Sequence, residues 1–201
     1  MKDKLYLRFL LGACLSTVLF TACKPEVMLP KPRGYFKLDL PQEHSYTLFD
    51  SLGFPYTFEY PEYGHIVQDT NLIVEENEPY WVNVNVPQLN AMIYLSYKTI
   101  KPGVSLNSLV QESYKLTAAH RERADFIDAN EFESKTGLSA VFYTVGGNAA
   151  STYQFYATDK QKHFIRGALY FNSAPNADSV APAANFLRKD IEHLINTLHF
   201  R

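Results

Sequence analysis

Arg166 is the residue of this sequence with the most chemical promise. It lies inside Phe164-Ile165-Arg166-Gly167-Ala168-Leu169-Tyr170-Phe171, an apolar run of strand character. Alternation puts Phe164, Arg166, Ala168 and Tyr170 on one face and Ile165 and Leu169 on the other. A charge in such a strand must reach solvent or find a partner. One reading is a structural salt bridge, or an arginine whose stem snorkels over the sheet. The other is a polar point in a partner or ligand groove, completed by Gln154 or Asn148 from the same meander.

Other candidates carry less. Six histidines occur, at 44, 65, 120, 163, 193 and 199, with no two at a metal-ligand spacing such as i, i+4. Surface positions are the expectation for them, and no metal or other cofactor is expected. Gly137-Leu138-Ser139-Ala140-Val141 begins like a nucleophile elbow but lacks its second Gly and enters a strand. Gly146-Gly147-Asn148 precedes a strand and not a helix N-terminus, so it reads as a hairpin and not a phosphate cradle. Asp128-Ala129-Asn130 lacks the Gly and terminal Glu of an EF-hand loop, and Glu75, Glu76 and Glu78 read as a solvated acidic turn. A hydrolase remains conceivable if the fold gathers Ser151, His163 and an Asp.

The strongest motif lies near the start. Lys2, Lys4 and Arg8 form a positive region, and Phe9–Phe20 is an uncharged, mostly apolar run of twelve residues. At 1.5 Å per residue the run spans roughly 18 Å, short of the ~30 Å hydrocarbon core. That layout is a secretory signal and not a permanent membrane span. It ends in Phe20-Thr21-Ala22-Cys23, which resembles the bacterial lipobox. Small residues before the Cys fit a narrow protease site, and the sulfur accepts the diacylglycerol. Leu11-Gly12-Ala13-Cys14 is a rival match, but Leu15, Val18, Leu19 and Phe20 continue the apolar run behind it. After Cys23 the chain turns polar, at Lys24-Pro25-Glu26. The alternative is an ordinary cleaved signal with an incidental Cys. The sequence has two Cys, at 14 and 23, so the mature domain keeps no thiol for a disulfide, a nucleophile or a metal.

These assignments divide the chain into a signal peptide at 1–22, a lipidated tether at 23–33 containing Pro25, Pro30 and Pro32, and one domain at 34–201. The formal net charge is −2, while residues 1–22 carry +2, so the body is mildly acidic. Non-specific nucleic-acid binding needs a basic face and is therefore not expected. Tyr and Phe number 14 each, which favours sheet.

Period-2 runs predict strands at Tyr56–Tyr60, Val82–Val86 and Ala91–Tyr97, the last two as antiparallel neighbours across Pro87-Gln88-Leu89-Asn90. The period then changes. Ser105 can cap a helix with Leu106, Leu109, Val110, Ser113, Leu116, Thr117 and His120 on one broad face, ending near Arg121-Glu122-Arg123. A three-strand meander follows: Leu138–Val145, a strand through Tyr153, Phe155 and Ala157, and His163–Phe171, the most apolar and hence central. A last helix starts at Asp178 or Ser179 with Pro182 in its first turn. It aligns Ala183, Phe186, Leu187, Ile191, Leu194, Ile195 and Leu198, against Arg188, Lys189, Glu192, His193 and Asn196 opposite. The expected class is α+β, a mostly antiparallel sheet with two amphipathic helices packed on it. That order loosely resembles PsbP-like α/β/α sandwiches.

Several stretches resemble one family. They are Pro30-Lys31-Pro32-Arg33-Gly34-Tyr35-Phe36 directly after the lipobox, Phe58-Glu59-Tyr60-Pro61-Glu62-Tyr63, Gly147-Asn148-Ala149-Ala150-Ser151, His163–Asn172 and Phe186-Leu187-Arg188-Lys189-Asp190-Ile191. Together they resemble the gliding motility lipoprotein GldD family across the mature chain. The resemblance implies a lipoprotein of Bacteroidota, needed for surface gliding and linked to type IX secretion. It implies a protein in the cell envelope that faces the periplasm and acts with other gliding or secretion proteins. It carries over no enzymatic activity, and only Cys23 transfers as a functional residue. A small-ligand-binding module is the competing reading, since an aromatic sheet under helices can hold an apolar pocket.

Cys23→Ala is expected to abolish incorporation of radioactive fatty acid in cells, while Cys14→Ala retains it. Label remaining on the Cys23→Ala protein would refute the cleavage site and the tether assignment with it.

Overall fold

The computed structural model describes residues 39–68, 70, 74 and 79–201. The signal, Cys23, the tether, the start of the domain at 34 and the acidic turn at 75–78 all lie outside the described residues. The strands are β1 (Tyr46–Phe49), β2 (Tyr56–Pro61), β3 (His65–Val67), β4 (Val82–Val86), β5 (Ala91–Thr99), β6 (Ala124–Glu133), β7 (Ser139–Gly147), β8 (Ser151–Thr158), β9 (His163–Phe171) and β10 (His199–Phe200). Two α-helices are described among them, α1 (Leu106–Ala118) and α2 (Ala177–Thr197).

A seven-stranded antiparallel sheet runs in the order β3-β4-β5-β9-β8-β7-β6, so β9 is central as its composition predicts. β4 and β5 pair antiparallel from Val82↔Leu95 to Val86↔Ala91, across a 3-10 turn that Asn90 closes in the left-handed region at φ 51°. A second sheet, β1-β2-β10, is built from the N-terminal arm and the chain end.

The two faces of the large sheet have different partners. Ile93, Leu95, Ile165, Leu169, Phe142 and Phe155 join Leu187, Ile191, Leu194 and Ile195 of α2 in the main core, with Tyr56 and Phe58 of β2. The other face, with Val141, Tyr143, Tyr156 and Phe164, packs on Leu109 of α1. The result is an α+β sandwich, as the element order predicts.

Three local readings need correction. The meander has four strands, because β6 precedes it. β6 is an edge strand whose residues are mostly exposed on both faces, so it shows no alternation to read. Asp125, Asp128, Glu131 and Glu133 along it discourage edge-to-edge pairing. α2 begins earlier than Asp178: Asn176 is its N-cap and accepts from Ser179 N at 3.2 Å, which puts Pro182 inside the helix. The buried stripe of α1 is narrower than the sequence suggests, namely Leu109, Ser113 and Thr117, with Leu116 45% exposed. Ser105 caps α1 as expected, accepting from Ser108 N at 3.1 Å.

Gly167 permits the pairing at the sheet centre. It stands opposite Phe155, and a Cβ built there would lie 2.0 Å from the Phe155 ring. The ring fills the space that a side chain would take. Gly167→Val is expected to destabilise the fold by about 1–3 kcal/mol through overpacking, read as a lower midpoint in urea unfolding. An unchanged midpoint would show that the ring moves aside without cost.

Candidate functional site

The face of the sheet under α1 is not wholly apolar. Between the aromatic residues of β8 and β9 it presents Gln154 and Arg166, and α1 answers with Ser113 and Thr117. Gln154, Ser113 and Thr117 are all at most 2% exposed, and Arg166 is half-buried. The Arg166 guanidinium donates from Nη2 to Gln154 Oε1. Thr117 Oγ1 is 3.1 Å from the same oxygen and 3.0 Å from Ser113 O. Arginine can only donate, so this contact fixes which end of the Gln154 amide is oxygen. Gln154 Nε2, Arg166 Nε and Ser113 Oγ are left buried with no hydrogen-bond partner among the described residues.

A cavity of about 120 Å³ opens beside them, walled by Arg166, Ser113, Leu109, Leu116, Phe164 and Glu112 among others. Burial pulls the Arg166 guanidinium below its usual range, while Tyr170, Glu112 and Tyr143 favour its charge. Burial, and then the charge of Arg166, hold His120 below the ordinary imidazole value. Among the described residues no carboxylate closes an ion pair with Arg166. The expected pair Arg166 and Gln154 is therefore brought together. Asn148 is not part of it: its Oδ1 accepts from Ala177 N at 2.9 Å, at the start of α2. A wider open groove of about 700 Å³ lies elsewhere, with Asn85, Asn90, Met92, Tyr94 and Tyr170 on its walls.

A second polar cluster escaped the sequence reading. Asp190 is 1% exposed on the buried side of α2. Its Oδ1 lies 2.6 Å from His44 Nδ1 and accepts from Tyr46 at 3.1 Å, and its Oδ2 accepts from Tyr63. Burial first, then Asp190, push the hydroxyls of Tyr46 and Tyr63 well above the usual tyrosine range. His44 stacks on Phe186 at 4.2 Å, and Tyr46 on His193 at 3.6 Å, while His193 Nε2 sits 2.6 Å from Glu59 Oε2. The available signal was positional. Asp190 stands three residues after Leu187 and four before Leu194, within the apolar stripe. Both of its oxygens are engaged by groups of the arm and the loop after β2. The cluster therefore works as a latch between residues 44–63 and α2.

Nor are the histidines simply surface residues. His163 is 5% exposed, with Nδ1 2.5 Å from the Tyr97 hydroxyl and its ring stacked on Phe200 at 4.9 Å. Ser151 pairs with Tyr170 at the far end of β9, seven residues from His163. At ~3.3 Å per residue that is roughly 23 Å, so these two cannot act together. Among the described residues no three His, Cys, Asp or Glu side chains gather as a metal site.

Comparison with solved structures finds a similarity to cyanobacterial PsbP (CyanoP) from Synechocystis sp. PCC 6803, with 12% identity, 79% of this chain and 94% of that chain covered, and a TM-score of 0.48. No argument about function rests on that likeness. Comparison with the curated proteins finds no match. A family model described as gliding motility lipoprotein GldD matches residues 25–200, which takes in both sheets and both helices. The chain belongs to the gliding motility lipoprotein GldD family.

Proposed function

We propose that this protein is a non-enzymatic component of the gliding motility and type IX secretion machinery, anchored in the cell envelope through lipid on Cys23 and facing the periplasm. The observation that carries the reading is the extent of the family match, residues 25–200, which spans nearly all of the proposed domain. The polar clusters are consistent with a scaffold. The oxygens of Asp190 are taken by side chains that tie the arm to α2. Ser151 Oγ donates to Tyr153 O at 3.3 Å, and the His163 ring is held by Tyr97 and Phe200. Exposed Leu48, Tyr94, Tyr114, Leu116 and Phe126 offer apolar points of contact for protein partners. No helix among the described residues is long and apolar enough to cross a membrane.

A second reading, a ligand-binding module, is favoured by one observation: the cavity beside Arg166 with unpartnered polar atoms in its wall.

Deletion of the protein is expected to abolish gliding spread and reduce type IX secretion, with the wild-type chain restoring both and the Cys23→Ala chain restoring little. Crosslinking in intact cells is expected to recover envelope proteins with it. A chain that crosslinks to nothing, whose deletion leaves motility and secretion intact, would overturn the proposal.

A further inference from the structure

The α1 side of the sheet leaves three polar groups without partners in one small region: Arg166 Nε, Gln154 Nε2 and Ser113 Oγ. Two are obligate donors and the third is a hydroxyl able to donate. Buried groups of this kind are costly unless something accepts from them. Their clustering is not chance packing. Ser113 and Arg166 both face the same cavity of about 120 Å³, and Gln154 is bound to the guanidinium.

The walls define what can fill it. At on the order of 30 Å³ per water the space equals about four waters, so it admits a group of few heavy atoms. Arg166 supplies a positive charge that no described carboxylate pairs within ion-pair distance. Glu112 and Lys98 stand in the same wall with opposite charges, which leaves Arg166 as the excess positive charge and favours a singly charged occupant. Leu109, Leu116 and Phe164 suit hydrocarbon and not a fully polar oxyanion.

We propose that the cleft between α1 and strands β5 and β9 binds a monocarboxylate, with Arg166 as its charge partner, Ser113 as a donor, and Leu109, Leu116 and Phe164 around the carbon next to the carboxyl. The site is independent of the motility reading, since it rests on the cavity alone. The carboxylate can come from a small organic acid or from the C-terminus of a peptide, because both present the same group.

The test is calorimetric titration of the full-length lipoprotein in nanodiscs, with empty nanodiscs as baseline. The probes are acetate, butyrate, N-acetyl-dialanine and inorganic phosphate. Saturable binding of the carboxylates is expected, tighter for butyrate than acetate, with phosphate at least about tenfold weaker. Ser113→Ala, which removes one hydroxyl from a helix, is expected to weaken binding about tenfold, the equivalent of one hydrogen bond to a charged group. Arg166→Gln is expected to abolish it. Preference for butyrate or for the peptide identifies the source, and either supports the site. Absence of saturable carboxylate binding overturns the proposal, as does equal affinity in the Ser113→Ala protein. So does a high-resolution crystal structure, grown in saturating butyrate, that shows only ordered water in the cavity.

Discussion

The ring of Phe155 lies over Gly167 so closely that no side chain fits beneath it, and this approach governs how β8 and β9 meet. β9 is the middle strand of seven, paired along its full length with β5 and over much of it with β8. With both edges taken, its backbone is satisfied and both faces are covered. A side chain at 167 would push the two central strands apart and carry the rest of the sheet with them.

From that strand the faces diverge. On one, Ile165 and Leu169 enter the core with Leu187, Ile191 and Leu194 of α2, a contact of apolar side chains only. On the other, Phe164 packs under α1 while Arg166 two residues on requires polar company. Gln154 from β8 and Thr117 from α1 supply part of it, through one shared amide oxygen. The arrangement explains why the buried stripe of α1 is narrow and partly polar, while that of α2 is broad and apolar except at Asp190. A helix covering a charge needs polar side chains among its leucines.

The N-terminal arm is held by a different device. Asp190 sits in the apolar stripe of α2 and draws His44, Tyr46 and Tyr63 to one carboxylate. β1 and β2 pair from Tyr46↔Pro61 to Phe49↔Phe58, and β10 adds to β2 from the chain end. The arm is thus tied to α2 by hydrogen bonds to a buried carboxylate.

The sequence by itself determined the elements with strong periodicity. Val82–Val86, Ala91–Tyr97, His163–Phe171 and the apolar stripe of α2 were readable because each buries one or both faces, and Ser105 was readable as the cap of α1. The family was readable from local stretches across the chain, and the match to residues 25–200 bears it out. It did not reveal β6, because an edge strand exposed on both faces has no alternation to detect. Nor could it separate Asn148 from Arg166 and Gln154, or Ser151 from His163, since those distances depend on register between strands. Asp190 and His44 are 146 residues apart in sequence and become partners only when β1 folds onto α2. Local residue patterns decide what each segment can bury. Which polar groups meet once the segments are buried is decided by long-range pairing, and only the tertiary structure contains that information.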